Sequence, residues 1–228
     1  MKKILLFMAI AMFGISLSAQ ETFFPTKVGT VLKYQTTDKK GKVSGSFKYT
    51  ITNVNVQGND LDITYLVENL GMKDELVYKD EITIHQRDGV ISFDMSSFVN
   101  KGAFQQNGQI PAELSITGNS MQVPLNPEPG MTLPDANVLM AMKVGFMNMK
   151  MSADVTNRKI EAVEDITVKG GTFHCYKLTS DVKSVALGMT VKSKSIEWYA
   201  KGIGVIKTES YDDKGKLLAS TQLTEVTK

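Results

Sequence analysis

Apolar and polar residues alternate one for one along most of the chain, the period of a strand with one face buried. "GTVLKYQTTDKKGKVSGSFKYTITNVNVQGNDLDITYLVENL" predicts three strands, with turns at Asp38-Lys39-Lys40-Gly41 and Gln57-Gly58-Asn59-Asp60. Glycine, Asn and Asp supply the positive φ angles such turns need, and β-branched and aromatic residues fill the arms. "DELVYKDEITIHQRDGVISFDM" repeats the pattern and turns at Arg87-Asp88-Gly89. "SSFVNKGAFQQNGQIPAEL" is softer and has room for one short helix, and "VPLNPEPGMTLPDA", with four of the six prolines, predicts a connector along an edge or rim. "TFHCYKL" and "SIEWYA" are further strands, and Gly170-Gly171 is a further turn. Gly204 to Val226 echoes Gly29 to Val54 as a second glycine-turn hairpin flanked by lysines, which gives the C-terminal stretch the role of structural frame. The fold expected is all-β: a single domain of antiparallel strands in a curved half-barrel or open barrel, with at most short helices.

One segment departs from plain alternation. Val138, Met140, Met142 and Val144 alternate, and after Gly145 the register resumes as Met147, Met149 and Met151. Two strands, or one strand with a bulge at the glycine, fit this pattern; a helix with Val138, Leu139, Met142, Phe146 and Met149 on one face competes with them. Met140, Met142, Met147, Met149 and Met151 are the candidate binding residues. Thioethers adapt to irregular gaps in a core, line pliable apolar cavities, and suit Cu(I) when M-x-M spacing puts two sulfurs on one strand face.

The first residues read differently. "MKKILLFMAIAMFGISLSAQ" has a basic start, an apolar run and small residues before Ala19, the layout of a secretory signal peptide over residues 1–19. The run is too short for a membrane span. No cysteine sits near the cut, so lipid attachment there is not expected, and residues 20–228 form the mature domain, periplasmic or secreted. Losing Lys2 and Lys3 balances the 26 basic residues against the 24 acidic ones. A balanced chain without a basic run offers no sequence signal for nucleic acid or anionic lipid. Cys175 is alone and forms no intramolecular disulfide; the expected place for it is a buried apolar site.

"LPDA", "VTNRKIEAVEDITVKGGTFHCYKL" and "EWYAKGIGVIKTESYDDKGKL" together resemble the TapB-like family of exported bacterial β-rich proteins, over roughly residues 110–226. The resemblance implies export and a β topology, and supplies no catalytic residues.

The catalytic inventory is short. His85 and His174 lie on different strands, and His174 and Cys175, being adjacent, point to opposite faces and cannot act together. No nucleophile elbow, phosphate loop, zinc motif or calcium loop occurs. Glu161, Glu164 and Asp165 with Arg158 and Lys159 read as solvated cross-strand charge pairs, Arg158 sharing a face with Glu164. Aromatic residues at 8% with one Trp do not make a sugar-binding groove. Trp198 is expected in the core, with Tyr176, Tyr199 and Tyr211 as candidates for a cavity mouth.

The expectation is therefore an exported binding protein without catalytic activity or cofactor, carrying a hydrophobic or lipid-like ligand in a Met-lined cavity. A structural or protein-interaction module of the cell envelope, and Cu(I) binding through the Met-rich strands, are the alternatives.

Overall fold

A computed structural model describes residues 22–98, 114–144, 147–186 and 188–227. The strands are β1 (Val31–Asp38), β2 (Val43–Gln57), β3 (Asp60–Leu70), β4 (Leu76–Arg87), β5 (Val90–Asp94), β6 (Ser115–Gly118) and β7 (Ser120–Pro124), then β8 (Ala136–Val144), β9 (Met147–Val168), β10 (Gly171–Ala186), β11 (Met189–Ala200), β12 (Gly204–Asp212) and β13 (Leu217–Thr227). One 3-10 turn, Met95–Phe98, follows β5. The residues of the signal-peptide reading, and most of the stretch given room for a short helix, lie outside the described residues.

All thirteen strands join one antiparallel sheet in the order β6-β8-β9-β10-β11-β12-β13-β1-β2-β3-β4-β5-β7. It is a meander whose first and last strands meet: β1 pairs with β13 from Val31↔Thr227 to Asp38↔Ala219. The two echoed hairpins, β1–β2 and β12–β13, are thus neighbours in the sheet. The predicted turns fall where expected, and at Asp88-Gly89 both φ angles are positive, as a two-residue hairpin of this kind requires.

The sheet's free edges are β6 and β7, separated in sequence only by Asn119. One short segment therefore serves both edges and nearly closes a barrel. Asn119 joins them: its N–H donates to the Asn137 carbonyl (3.2 Å) and its carbonyl accepts from the Met95 N–H (3.3 Å). Its side chain accepts from the Asn137 N–H (2.6 Å) and donates to the Asp135 carbonyl (3.1 Å). Closure leaves few unpaired strand groups for another chain to extend.

The proline connector runs along β9. Leu133 donates to the Arg158 carbonyl and Ile160 to that of Met131, so it prolongs the line of β8 past the first bulge of β9. The core fills the barrel with Leu32, Ile51, Ile63, Ile160, Leu178, Ile206 and Leu223, all nearly inaccessible to solvent. Phe23 plugs it from the N-terminal segment, edge-on to Tyr176 and Tyr199 at 5.5 and 6.3 Å.

The methionine segment forms two strands rather than a helix. Met140 stands opposite Met151 and Met142 opposite Met149. Directly opposed residues share a face, so Met140 and Met142 on β8 and Met149 and Met151 on β9 all point inward.

Candidate ligand cavity

Strand alternation on β1–β3 places Leu32 and Tyr34, Phe47 and Tyr49, and Tyr65 on the inner face. Phe24, Ile82, Ile84, Phe93 and Met121 complete an apolar wall, and Glu197, Tyr199, Val205, Thr208 and Thr221 form the opposite side. These residues line a cavity of about 350 Å³. That is the lower end of the range for small-ligand sites.

The wall is a run of edge-to-face aromatic pairs: Tyr34 with Tyr49 at 5.4 Å, Tyr49 with Tyr65 at 6.3 Å and Phe24 with Tyr65 at 6.3 Å. Such pairs add to the stability given by burial and hold the rings in fixed orientations. Burial raises the pKa of Tyr34, Tyr49 and Tyr65 above the ordinary phenol value, and the neighbouring phenols add to the effect at Tyr34. Tyr199 is raised too, first by burial and then by the Glu197 carboxylate beside it, with Arg158 pulling the other way. These phenols stay protonated across the physiological range.

Most polar groups in the wall are already engaged. The Tyr34 hydroxyl donates to the Val205 carbonyl at 2.8 Å, Tyr199 donates to Glu197 Oε2, and the Thr36 and Thr221 hydroxyls share a hydrogen at 2.8 Å. The hydroxyl of Tyr65, a residue 2% exposed, has no partner among the described residues. A buried hydroxyl without a partner carries a desolvation cost.

None of Met140, Met142, Met149 and Met151 lines this cavity; its methionine is Met121. The four lie on the inner face of the β8–β9 hairpin, Met140 and Met142 buried and Met149 and Met151 half-buried. Cross-sheet register extends the row through Ala186 to Met189 on β11. Met147 is opposite Val144.

Other expected residues move. Arg158 is 1% exposed on the inner face, not in a solvated pair with Glu164. The cause is two extra residues in β9: Lys159 pairs with Thr179 but Thr156 with Asp181, which turns Arg158 inward, and Ile160 pairs with Leu178 but Ala162 with Lys177, which switches the faces back before Glu164. Glu164 consequently points outward, accepting from Trp198 Nε1 at 2.7 Å. Arg158 Nη1 donates to the Pro134 carbonyl at 2.8 Å, while Nε and Nη2 have no partner among the described residues. Lys159 does pair with Glu161, at 3.3 Å.

Trp198 is buried, but on the outer face, with Lys177 and Lys207 over its ring at 5.7 and 5.1 Å. Of the three tyrosines expected at a cavity mouth, Tyr199 lines the cavity, Tyr176 packs on Phe23, and Tyr211 lies outside, bonded to Glu209. Cys175 is fully buried, and its thiol pKa is pushed up to about 11, chiefly by that burial. Each histidine meets an aspartate, His85 with Asp62 at 2.7 Å and His174 with Asp165 at 2.8 Å. Among the described residues no group of three or more His, Cys, Asp or Glu comes together as a metal site.

The C-terminal stretch, read as frame, supplies five residues of the cavity wall. The aromatic side was visible only as alternation, because an inward Tyr in a solid core and one facing a cavity have the same period.

No helix among the described residues is long and apolar enough to cross a membrane. No curated protein matches the sequence. Two crystal structures share the fold. One is described as an exported protein with a YmcC-like fold from Bacteroides fragilis, with TM-score 0.76 and 18% identity over 91% of this chain and 100% of that one. The other is described as a lipoprotein from Parabacteroides distasonis, with TM-score 0.76 and 22% identity over 91% and 99%. The family match covers residues 27–223, nearly the whole β-barrel and both sides of the cavity, and the chain belongs to the DUF3108-like family.

Proposed function

We propose that this protein works outside the cytoplasm as a non-enzymatic binding protein whose barrel interior takes up an apolar ligand. The observation that carries the reading is the aromatic-walled cavity of about 350 Å³. The volume suits one acyl chain or one small ring system better than a two-chain lipid. Its polar side asks for a ligand with a single oxygen function near one end. The signal-like leader supports action beyond the inner membrane, as do the descriptions of the two structural neighbours.

Native mass spectrometry of the secreted protein, followed by solvent extraction, tests this reading. A stoichiometric apolar ligand is expected, and Ile82→Trp, which fills the cavity from a half-buried wall position, removes it while circular dichroism is unchanged. An empty protein that also takes up no fatty acid on addition would leave the envelope-interaction module as the better reading.

The facing thioether pairs Met140–Met151 and Met142–Met149 keep a second reading open: a soft-metal or auxiliary apolar site on the β8–β9 hairpin. A tight one-to-one Cu(I) complex in chelator competition, lost on Met149→Leu with Met151→Leu, would favour metal there.

A further inference from the structure

The antiparallel order places the turns after β1, β3, β8, β10 and β12 at one end of the barrel. Residues 38–43, 70–76, 143–150, 183–192 and 212–217 carry ten lysines against five carboxylates. The connections at the other end, residues 57–60, 87–90, 124–136, 168–171 and 200–204, carry three basic residues against four acidic ones. No single stretch is a basic run; the topology gathers the charge.

Some lysines on the barrel wall are paired and others are not. Lys33, Lys48 and Lys207 each hold a carboxylate within 2.9 Å. Lys143, Lys150, Lys183 and Lys192 are exposed, and none of them forms an ion pair among the described residues. Lys183 and Lys192 stand directly opposite each other on β10 and β11. Lys183 also stands opposite Asp154 on β9, so Lys192 is the member of this row that faces only a like charge.

Apolar exposure concentrates at the same end. Of nine exposed large apolar side chains among the described residues, six (Met72, Leu76, Val77, Met189, Val191 and Leu218) are here. Met189 and Val191 are 67% and 56% exposed although their register puts them on the inner face. Unpaired lysines beside exposed methionine, leucine and valine match an anionic lipid surface, which offers charge at the headgroups and apolar depth below. A nucleic acid would use the lysines and leave the apolar groups in water.

We propose that this end of the barrel docks on a membrane surface bearing anionic lipid headgroups. Cosedimentation of the secreted protein with phosphatidylcholine vesicles, with and without phosphatidylglycerol, tests it. Binding is expected only with phosphatidylglycerol and weakens as salt rises. At about fivefold per lysine near the surface, Lys183→Ala with Lys192→Ala lowers partitioning about 30-fold without loss of thermal stability. Met189→Ser with Val191→Ser also lowers it, whereas Lys169→Glu at the opposite end does not. Equal binding to both vesicle types, or none to either, overturns the proposal. So does binding to a short DNA duplex as strong as that to the vesicles and unaffected by Met189→Ser with Val191→Ser, which makes the end a general polyanion surface.

Discussion

Arg158 shows what a single residue contributes when topology overrides sequence pattern. Its guanidinium sits inside the barrel with one hydrogen bond and two unpartnered nitrogens. Burial lowers its pKa, with Tyr199, Glu197 and Asp135 opposing that shift, and an arginine remains charged. Desolvating a charge costs several kcal/mol, and imperfect pairing recovers only part of it. Arg158→Met, which keeps the volume and removes the charge, is expected to hold or raise the thermal midpoint. Arg158→Ala, which leaves a void, is expected to cost about 3 kcal/mol. A chemical denaturation series on both variants decides; equal large losses would mean that the charge itself is needed. Glu209 gives a pH test on the outer face. Although burial alone would raise its pKa, bonds from Lys207 and Tyr211 hold it below the ordinary glutamate value of 4.5. A depressed carboxyl contributes its full stability above that ordinary value and loses it as pH falls through the folded value. Glu209→Gln is therefore expected to flatten the stability curve below about pH 4.5 and leave its neutral plateau shape unchanged. Tyr211 in the same contact is raised to about 12, chiefly by its bond to Glu209. Its share is present below the ordinary phenol value of 10 and fades from there to about pH 12.

At the level of elements, the seam between β6 and β7 is where the barrel is most sensitive to change. Gly118 lies against the neighbouring strand so closely that an added Cβ would meet the Asn137 carbonyl oxygen at 2.3 Å and Val138 Cα at 3.1 Å. Both contacts are backbone, so a side chain there has nothing flexible to displace. Gly118→Ala should part β6 from β8 and cost about 1–3 kcal/mol, with hydrogen exchange quickened first at the Asn119 and Asn137 amides. Uniform quickening across the barrel would place the closure elsewhere. Hairpins were legible because their signal is local: the turn at Gly58-Asn59 and the alternation on both sides of it lie within one short stretch. The seam was not legible. It depends on residues 115–124 serving two edges at once, a long-range arrangement that leaves only a short polar segment in the sequence. Bulges were equally hidden, and two extra residues in β9 set Arg158 inward and Glu164 outward against the shared face expected for them.

For the whole molecule, the class of fold follows from alternation and turn chemistry, since a long meander with a buried inner face must curve and close. Whether its interior is filled or hollow does not follow, because it depends on how side-chain sizes from nine strands and the N-terminal segment sum across the barrel. Phe23 and Phe24 make this concrete: adjacent and alike in sequence, they do different jobs. Phe23 is 1% exposed against Tyr176 and Tyr199 and seals the core. Phe24 lines the cavity beside Tyr65 and covers Gly204, where an added Cβ would stand 2.8 Å from its ring. Both Phe23→Ala and Phe24→Ala should lose about 3 kcal/mol or more, the usual result for a buried ring. Their effects on ligand size should differ. Phe24→Ala extends the cavity toward β12 and is expected to shift preference to longer chains when a ladder of saturated fatty acids is offered together and the bound fraction weighed by native mass spectrometry. Phe23→Ala, equally destabilised, should keep the wild-type preference. A common shift in both would trace the change to loosening of the barrel, and no shift in Phe24→Ala would mean that the aromatic cavity does not set what the protein holds.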